Sequence, residues 1–219
     1  MSILFKLATL VYSLYFCVRV LPLRMALKVP IKISLRMKID SLRGKIKINA
    51  GCVKRGMITL GLTGSDALQA LQGHIWIGKG AEICFNGSAQ LGAGTSIRVD
   101  DNAKLTFGDV FSCNKNCLIR CNKRINFGNR VLIGWNCTFN DFDGHTIIHN
   151  DMPLVNRGDI KIGNHVWICS DCLIMKNAVV ADECVVSART VLAKEIPVSH
   201  SLIAGMPARI VKNNIVWEL

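Results

Sequence analysis

The run from Ile162 to Ala193, IGNHVWICSDCLIMKNAVVADECVVSARTVLA, sets the reading of the whole chain. An aliphatic residue returns every six positions, at Ile162, Ile168, Ile174, Val180, Val186 and Leu192. Four places after each of the first five stands a small or medium residue: Val166, Cys172, Ala178, Cys184 and Thr190. A period of six is neither the 3.6 of a helix nor the 2 of a single strand. It describes a chain that lays down a short strand, turns a corner and starts the next face. The aliphatic residue then points inward each time and the smaller one fills the corner.

The same ruler extends upstream through Phe127, Ile133 and Phe139, with Val131 and Cys137 in the small slot. It continues to Phe107, Cys113 and Ile119, with Phe111 and Cys117, after a slip of two between Ile125 and Phe127. Ile77, Ile83, Leu91 and Ile97 follow it more loosely. The interruption at 140–159 is too long for a corner and predicts a projecting loop. Of the ten cysteines, Cys117, Cys137, Cys172 and Cys184 fall in the inward small slot and Cys113 in an aliphatic one, so packing accounts for them. The CxxC of Cys169 and Cys172 has no matching second pair for a tetrahedral zinc site, and no metal is expected.

The 219 residues are half apolar, which excludes a disordered chain, and the few aromatics leave a core of small and branched side chains. The net charge of +12 is lopsided: residues 1–55 hold twelve Lys and Arg against Asp40 alone. Between these charges lie Leu, Ile, Val and Phe, the company of a membrane surface and not of nucleic acid. From Ile3 to Val18 nearly every residue is apolar, while Ser2, Lys6, Thr9 and Ser13 align as a narrow polar stripe on one helical face. The run is shorter than the roughly 20 residues of a span and suits a helix lying in the interface. Arg19, Arg24, Lys28 and Lys32 would each add about 1 kcal/mol of attraction to anionic lipid. The alternative is a helix packed on the protein's own core or on a partner subunit. Apolar residues alternate with polar ones from Ile31 to Asp40, which reads as a half-buried strand. The apolar stretch runs into Arg19 without a small-residue cleavage site, so a reducing, cytoplasmic setting is expected.

The segments NDFDGH (140–145), IGNHVWI (162–168) and AGMPAR (204–209) together resemble the hexapeptide-repeat acyltransferases, with galactoside, maltose and capsule or lipopolysaccharide O-acetyltransferases the most similar kinds. The resemblance covers residues 105–212. It implies an all-β, left-handed parallel β-helix over 31–205 with its loop at 140–159. A basic amphipathic helical segment at 1–30 and a tail at 206–219 would flank it. It further implies a homotrimer, and acetyl-CoA as donor.

The family's base maps onto His145. A sugar hydroxyl is a poor nucleophile at neutral pH, and imidazole is the side chain that titrates there. Asp141 and Asp143 precede it at alternate positions; Asp143 is the expected orienting carboxylate, with Asp141 and His149 as acceptor contacts. Trp167 matches the tryptophan beside the pantetheine channel, Ser170 the position near the thioester, and Ala188 the alanine of the turn along the pantetheine arm. Lys194, Arg209 and Lys212 match basic residues that meet coenzyme A phosphates. The family's glycine-rich turn reads VSARTV here, with Ser187 and Arg189 in place of glycines. The expected acceptor is a surface-glycan precursor, lipid-linked, met at the inner membrane face through residues 1–38. A noncatalytic scaffold, and a carbonic-anhydrase-like metalloenzyme using His145, His149 and His165, are the rival readings.

Overall fold

The computed structural model describes residues 3–218. Strands in three parallel sheets wind as a left-handed β-helix, which is the expected fold. Each coil passes through the three faces in order, and there are seven complete coils followed by a half-coil. The first runs through Ile31–Ile33, Lys38–Leu42 and Lys45–Ile48; the fifth through Leu132–Ile133, Thr138–Asn140 and Ile160–Ile162. The sixth comprises Trp167–Ile168, Leu173–Met175 and Val179–Val180. Every six-residue marker from Ile162 to Leu192 is buried, as is every small-slot residue.

Corners need a residue in the left-handed region, and the sequence supplies it at repeating places. Gly94, Asn116, Asn136, Asp171 and Arg189 all have positive φ at the corner between first and second faces. Asn and Asp tolerate that conformation better than most side chains, whereas Arg189 at φ 60° holds it without such help. Inside the stack, Phe85, Phe107 and Phe127 lie one above another at centroid separations of 5.0 and 5.4 Å. Phe111 and Phe139 pack edge-on or tilted against them. Thiols fill the inner corners as predicted: Cys137 Sγ donates to Cys169 O at 3.0 Å and Cys172 Sγ to Ser187 O at 3.1 Å. Burial pushes the Cys184 thiol up, in keeping with a packing role.

Two expectations at the N-terminal end require correction. The alternation from Ile31 to Asp40 is not one strand. A corner at 34–37 divides it, burying Ser34 and exposing Leu35, because the first coil must already turn there. The polar stripe of helix α1 (Ile3–Val20) does not face solvent along its length: Thr9 and Ser13 are buried against the end coil, Lys6 is exposed, and Ser2 lies outside the described residues. A short helix α2 (Leu23–Ala26) links α1 to the first coil.

Candidate active site

The projecting loop leaves the corner between second and third faces of the fifth coil. Its root is built by Asp141, which is fully buried. Its carboxylate accepts the backbone N–H groups of Asn122 at 2.6 Å and of Lys123 and Arg124 at 2.8 Å. A carboxylate holding three amides of the coil below cannot also reach an acceptor, so Asp141 is a loop anchor and not the substrate contact expected. Gly158 N–H closes the root on Asp141 O at 3.0 Å. The tip is a two-rung hairpin pairing Ile148–His149 with Met152–Pro153.

His145 follows Gly144, whose φ of 88° makes the turn, and its side chain is exposed. Among the described residues His145 makes no hydrogen bond or ion pair. Asp143, the expected orienter, instead pairs with Lys176 Nζ of the sixth coil at 2.5 Å. The same ammonium donates to Val155 O at 2.7 Å, so Lys176 ties both legs of the loop to the next coil. Phe142 sits under two guanidinium groups, Arg120 at 5.5 Å and Arg157 at 5.7 Å. Lys176, Arg120 and Arg157 belong to no motif, and their only sequence signal was a place near the loop or one coil away from it. His149 is exposed on the hairpin, its Nε2 3.3 Å from Asn150 Nδ2.

Trp167, Ser170 and Ala188 are gathered along another edge of the prism. Trp167 pairs with Val185 across adjacent coils, and Arg189 N–H donates to Ser170 O at 3.1 Å. Trp167 is 37% exposed, so its ring is available to a ligand. The tail adds a residue that sequence reading missed. Trp217 stacks on His165 at 4.1 Å, donates from Nε1 to His165 O at 3.0 Å, and lies 6.0 Å from Trp167. His165 Nδ1 is itself held 2.5 Å from Glu183 Oε2.

Lys194 lies after the second face of the seventh coil, and Arg209 and Lys212 lie on the antiparallel strand Arg209–Lys212 that closes the first face. All three, with Arg189, are exposed, and none is in an ion pair among the described residues. By contrast, lysines lower in the stack are engaged, as with Lys47 and Lys104 on Glu82. Within one chain, then, the loop bearing His145 and the edge bearing Ser170 and Ala188 flank opposite sides of the second face.

No family model matches the chain. It is 28% identical over 200 residues, 91% of its length and 86% of the relative's, to a Klebsiella pneumoniae protein described as an uncharacterized 24.8 kDa protein in the cps region. It is 27% identical over 149 residues to a polysialic acid O-acetyltransferase of Escherichia coli, and 30% identical over 115 residues to the galactoside O-acetyltransferase of the same species. Those matches take in 67% and 50% of this chain but only 41% and 54% of the two enzymes. Among solved structures, a polysialic-acid-specific acetyltransferase shares the fold at a TM-score of 0.50 and 19% identity, covering 87% of this chain and 79% of that one. The chain is thus similar in sequence to two sugar O-acetyltransferases and shares the fold of a polysialic-acid-specific acetyltransferase.

Proposed function

We propose that this chain is an acetyl-CoA-dependent O-acetyltransferase whose acceptor is a sugar hydroxyl of a surface-polysaccharide precursor, capsular or lipopolysaccharide. The observation that carries the reading is His145 itself: an imidazole free of internal partners, set on a glycine turn at the root of an anchored loop. Such a side chain is available to take a proton from a substrate, while the half-buried His165, already paired with Glu183 and covered by Trp217, is not.

In the proposed reaction His145 removes the acceptor hydroxyl proton as that oxygen attacks the thioester carbonyl carbon. The N–H groups of the Ser170 corner steady the tetrahedral oxyanion. The carbon–sulfur bond then breaks, and the imidazolium returns its proton to the leaving thiolate. The products are the O-acetylated sugar and the free thiol of coenzyme A. The fit of the donor rests on the edge of Trp167, Ser170 and Ala188, and on four unpaired cations, Arg189, Lys194, Arg209 and Lys212, suited to its phosphates. Asp143 acts through Lys176, fixing the loop's place on the sixth coil.

The separation of His145 from the Ser170 edge within one chain favours a homotrimer in which the loop of one subunit meets the donor edge of its neighbour. The named relatives act, by their descriptions, on polysialic acid and on galactosides, which favours a glycan acceptor here. The basic, apolar N-terminal segment favours an acceptor held at the inner face of the membrane, with the enzyme peripheral to it. Comparing surface glycans by mass spectrometry with and without the protein tests this directly. One acetyl mass per repeat must disappear with the gene and with His145→Ala; an unchanged glycan overturns the reading. The scaffold alternative requires that His145→Ala keep full function, and the same experiment decides it.

A further inference from the structure

Helix α1 is built inside out for a helix in water. Its hydroxyl and thiol side chains at Tyr12, Ser13 and Cys17 serve the protein's interior. Ser13 is fully buried; its Oγ accepts Ile33 N–H at 3.0 Å and donates to Thr9 O at 2.6 Å. Cys17 Sγ donates to Ile31 O at 3.4 Å, and Tyr12 OH to Met37 O at 3.0 Å. Ile31 and Ile33 belong to the terminal strand of the first face, whose outer edge has no further strand to pair with. The helix therefore lies across the open end of the stack and satisfies backbone groups that a missing coil would have taken. Phe16, Cys17 and Val20 close the core beneath it.

The opposite side of the helix is apolar and bare. Ile3, Leu4, Leu7, Val11, Tyr15 and Val18 form one stripe at helical spacing, and Ile3, Leu4, Leu7 and Val11 are each more than half exposed. Leu23 and Leu27 continue the patch through α2. Around it stand Lys6, Arg19, Arg24, Lys28 and Lys32, all exposed, and residues 1–39 contain no Asp or Glu.

We propose that this surface seats the end of the β-helix on an anionic bilayer. Helix α1 then lies flat in the interface and the coil axis rises from it. This deepens the membrane part of the function proposed above and rests on it only for the acceptor's location. Charge selects the occupant. A second copy docked through the same face would bring basic rims together, whereas anionic headgroups meet them with opposite charge. A crossing orientation is opposed by the bonds from Ser13, Cys17 and Tyr12, which would have to be stripped from the coil. An interfacial position keeps them all and buries the stripe.

The test uses the full chain and vesicles of phosphatidylcholine, with and without phosphatidylglycerol. Wild-type protein should sediment with the anionic vesicles, less so as salt rises, and not with phosphatidylcholine alone. The double variant Leu7→Asp, Val11→Asp, altered only at exposed positions, should lose at least tenfold of that binding while keeping its melting temperature and its coenzyme A affinity by calorimetry. Wild-type protein that ignores anionic vesicles, or a variant that binds them as well as wild type, overturns the proposal. So does a concentration-dependent dimer in scattering that the two substitutions abolish, since the face would then belong to a second copy. Vesicle binding needs no acetyl donor, so its failure is separable from failure of the acyl-transfer reading.

Discussion

The coils below the loop and those above it follow one plan at two sizes. In the lower part Ser96 pairs with Leu118, 22 residues on, and a strand such as Ser96–Val99 runs four residues. In the upper part Trp167 pairs with Val185, 18 residues on, and Trp167–Ile168 runs only two. Longer strands enclose more space, and the column of Phe85, Phe107 and Phe127 fills it. Tight coils are filled by Ile, Val, Ala and Cys and keep strict six-residue register. The wide coils hold the stacked rings, and the tight ones set the spacing of Trp167, Ser170 and Ala188, the edge proposed for the donor, so a one-residue slip there would displace all three together.

This division can be broken by experiment. His145→Ala should cost about 10² to 10⁴-fold in acetyl transfer with an unchanged melting temperature, measured by thiol release with glycan acceptor. A matching loss of stability would refute the idea that the loop only carries chemistry. In the lower coils, Phe107→Ala removes the middle ring of the stack and should cost about 3–5 kcal/mol in urea unfolding. In the upper coils, Cys172→Ala deletes one sulfur and its bond to Ser187 O and should cost only about 1 kcal/mol. Near-equal costs would erase the distinction between the two cores.

The smallest effect concerns acid. Lys47, then Cys84 and Lys104, hold the Glu82 carboxyl down to about 2. A depressed carboxyl contributes stability above its unfolded value and loses it as pH falls through the folded one. The wild-type advantage over Glu82→Gln should therefore shrink between about pH 4.5 and pH 2 and be level above that window. A difference that does not change across it would show that Glu82 contributes through packing alone.

Sequence period made the tight coils legible, since each six-residue marker lands in the core, and the motif segments flanked the projecting loop and fell on the edge that gathers Trp167, Ser170 and Ala188. The first coil was less legible because its corner at 34–37 keeps the alternation that a straight strand would show. The inward use of Ser13 could not be seen in a helical pattern, as its partner Ile33 lies 20 residues on and its reason is an unpaired strand edge. Trp217 stood outside every repeat; its stacking on His165 spans 52 residues. Asp141 and Asp143 looked equivalent at alternate positions. Only the coil below and the coil above separate an anchor for three amides from a partner of Lys176.

A stack of parallel coils ends, at both extremities, in a strand that another stack could extend, and such a molecule is a fibre subunit unless something stops it. On the first face the stops differ in kind. Strand Arg209–Lys212 turns back antiparallel on Leu202–Ala204 and closes one end, while at the other α1 occupies the groups of Ile31 and Ile33 with side chains in place of backbone. On that face the place of a further coil is thereby taken at both extremities, by a strand of opposite direction at one and by a helix at the other.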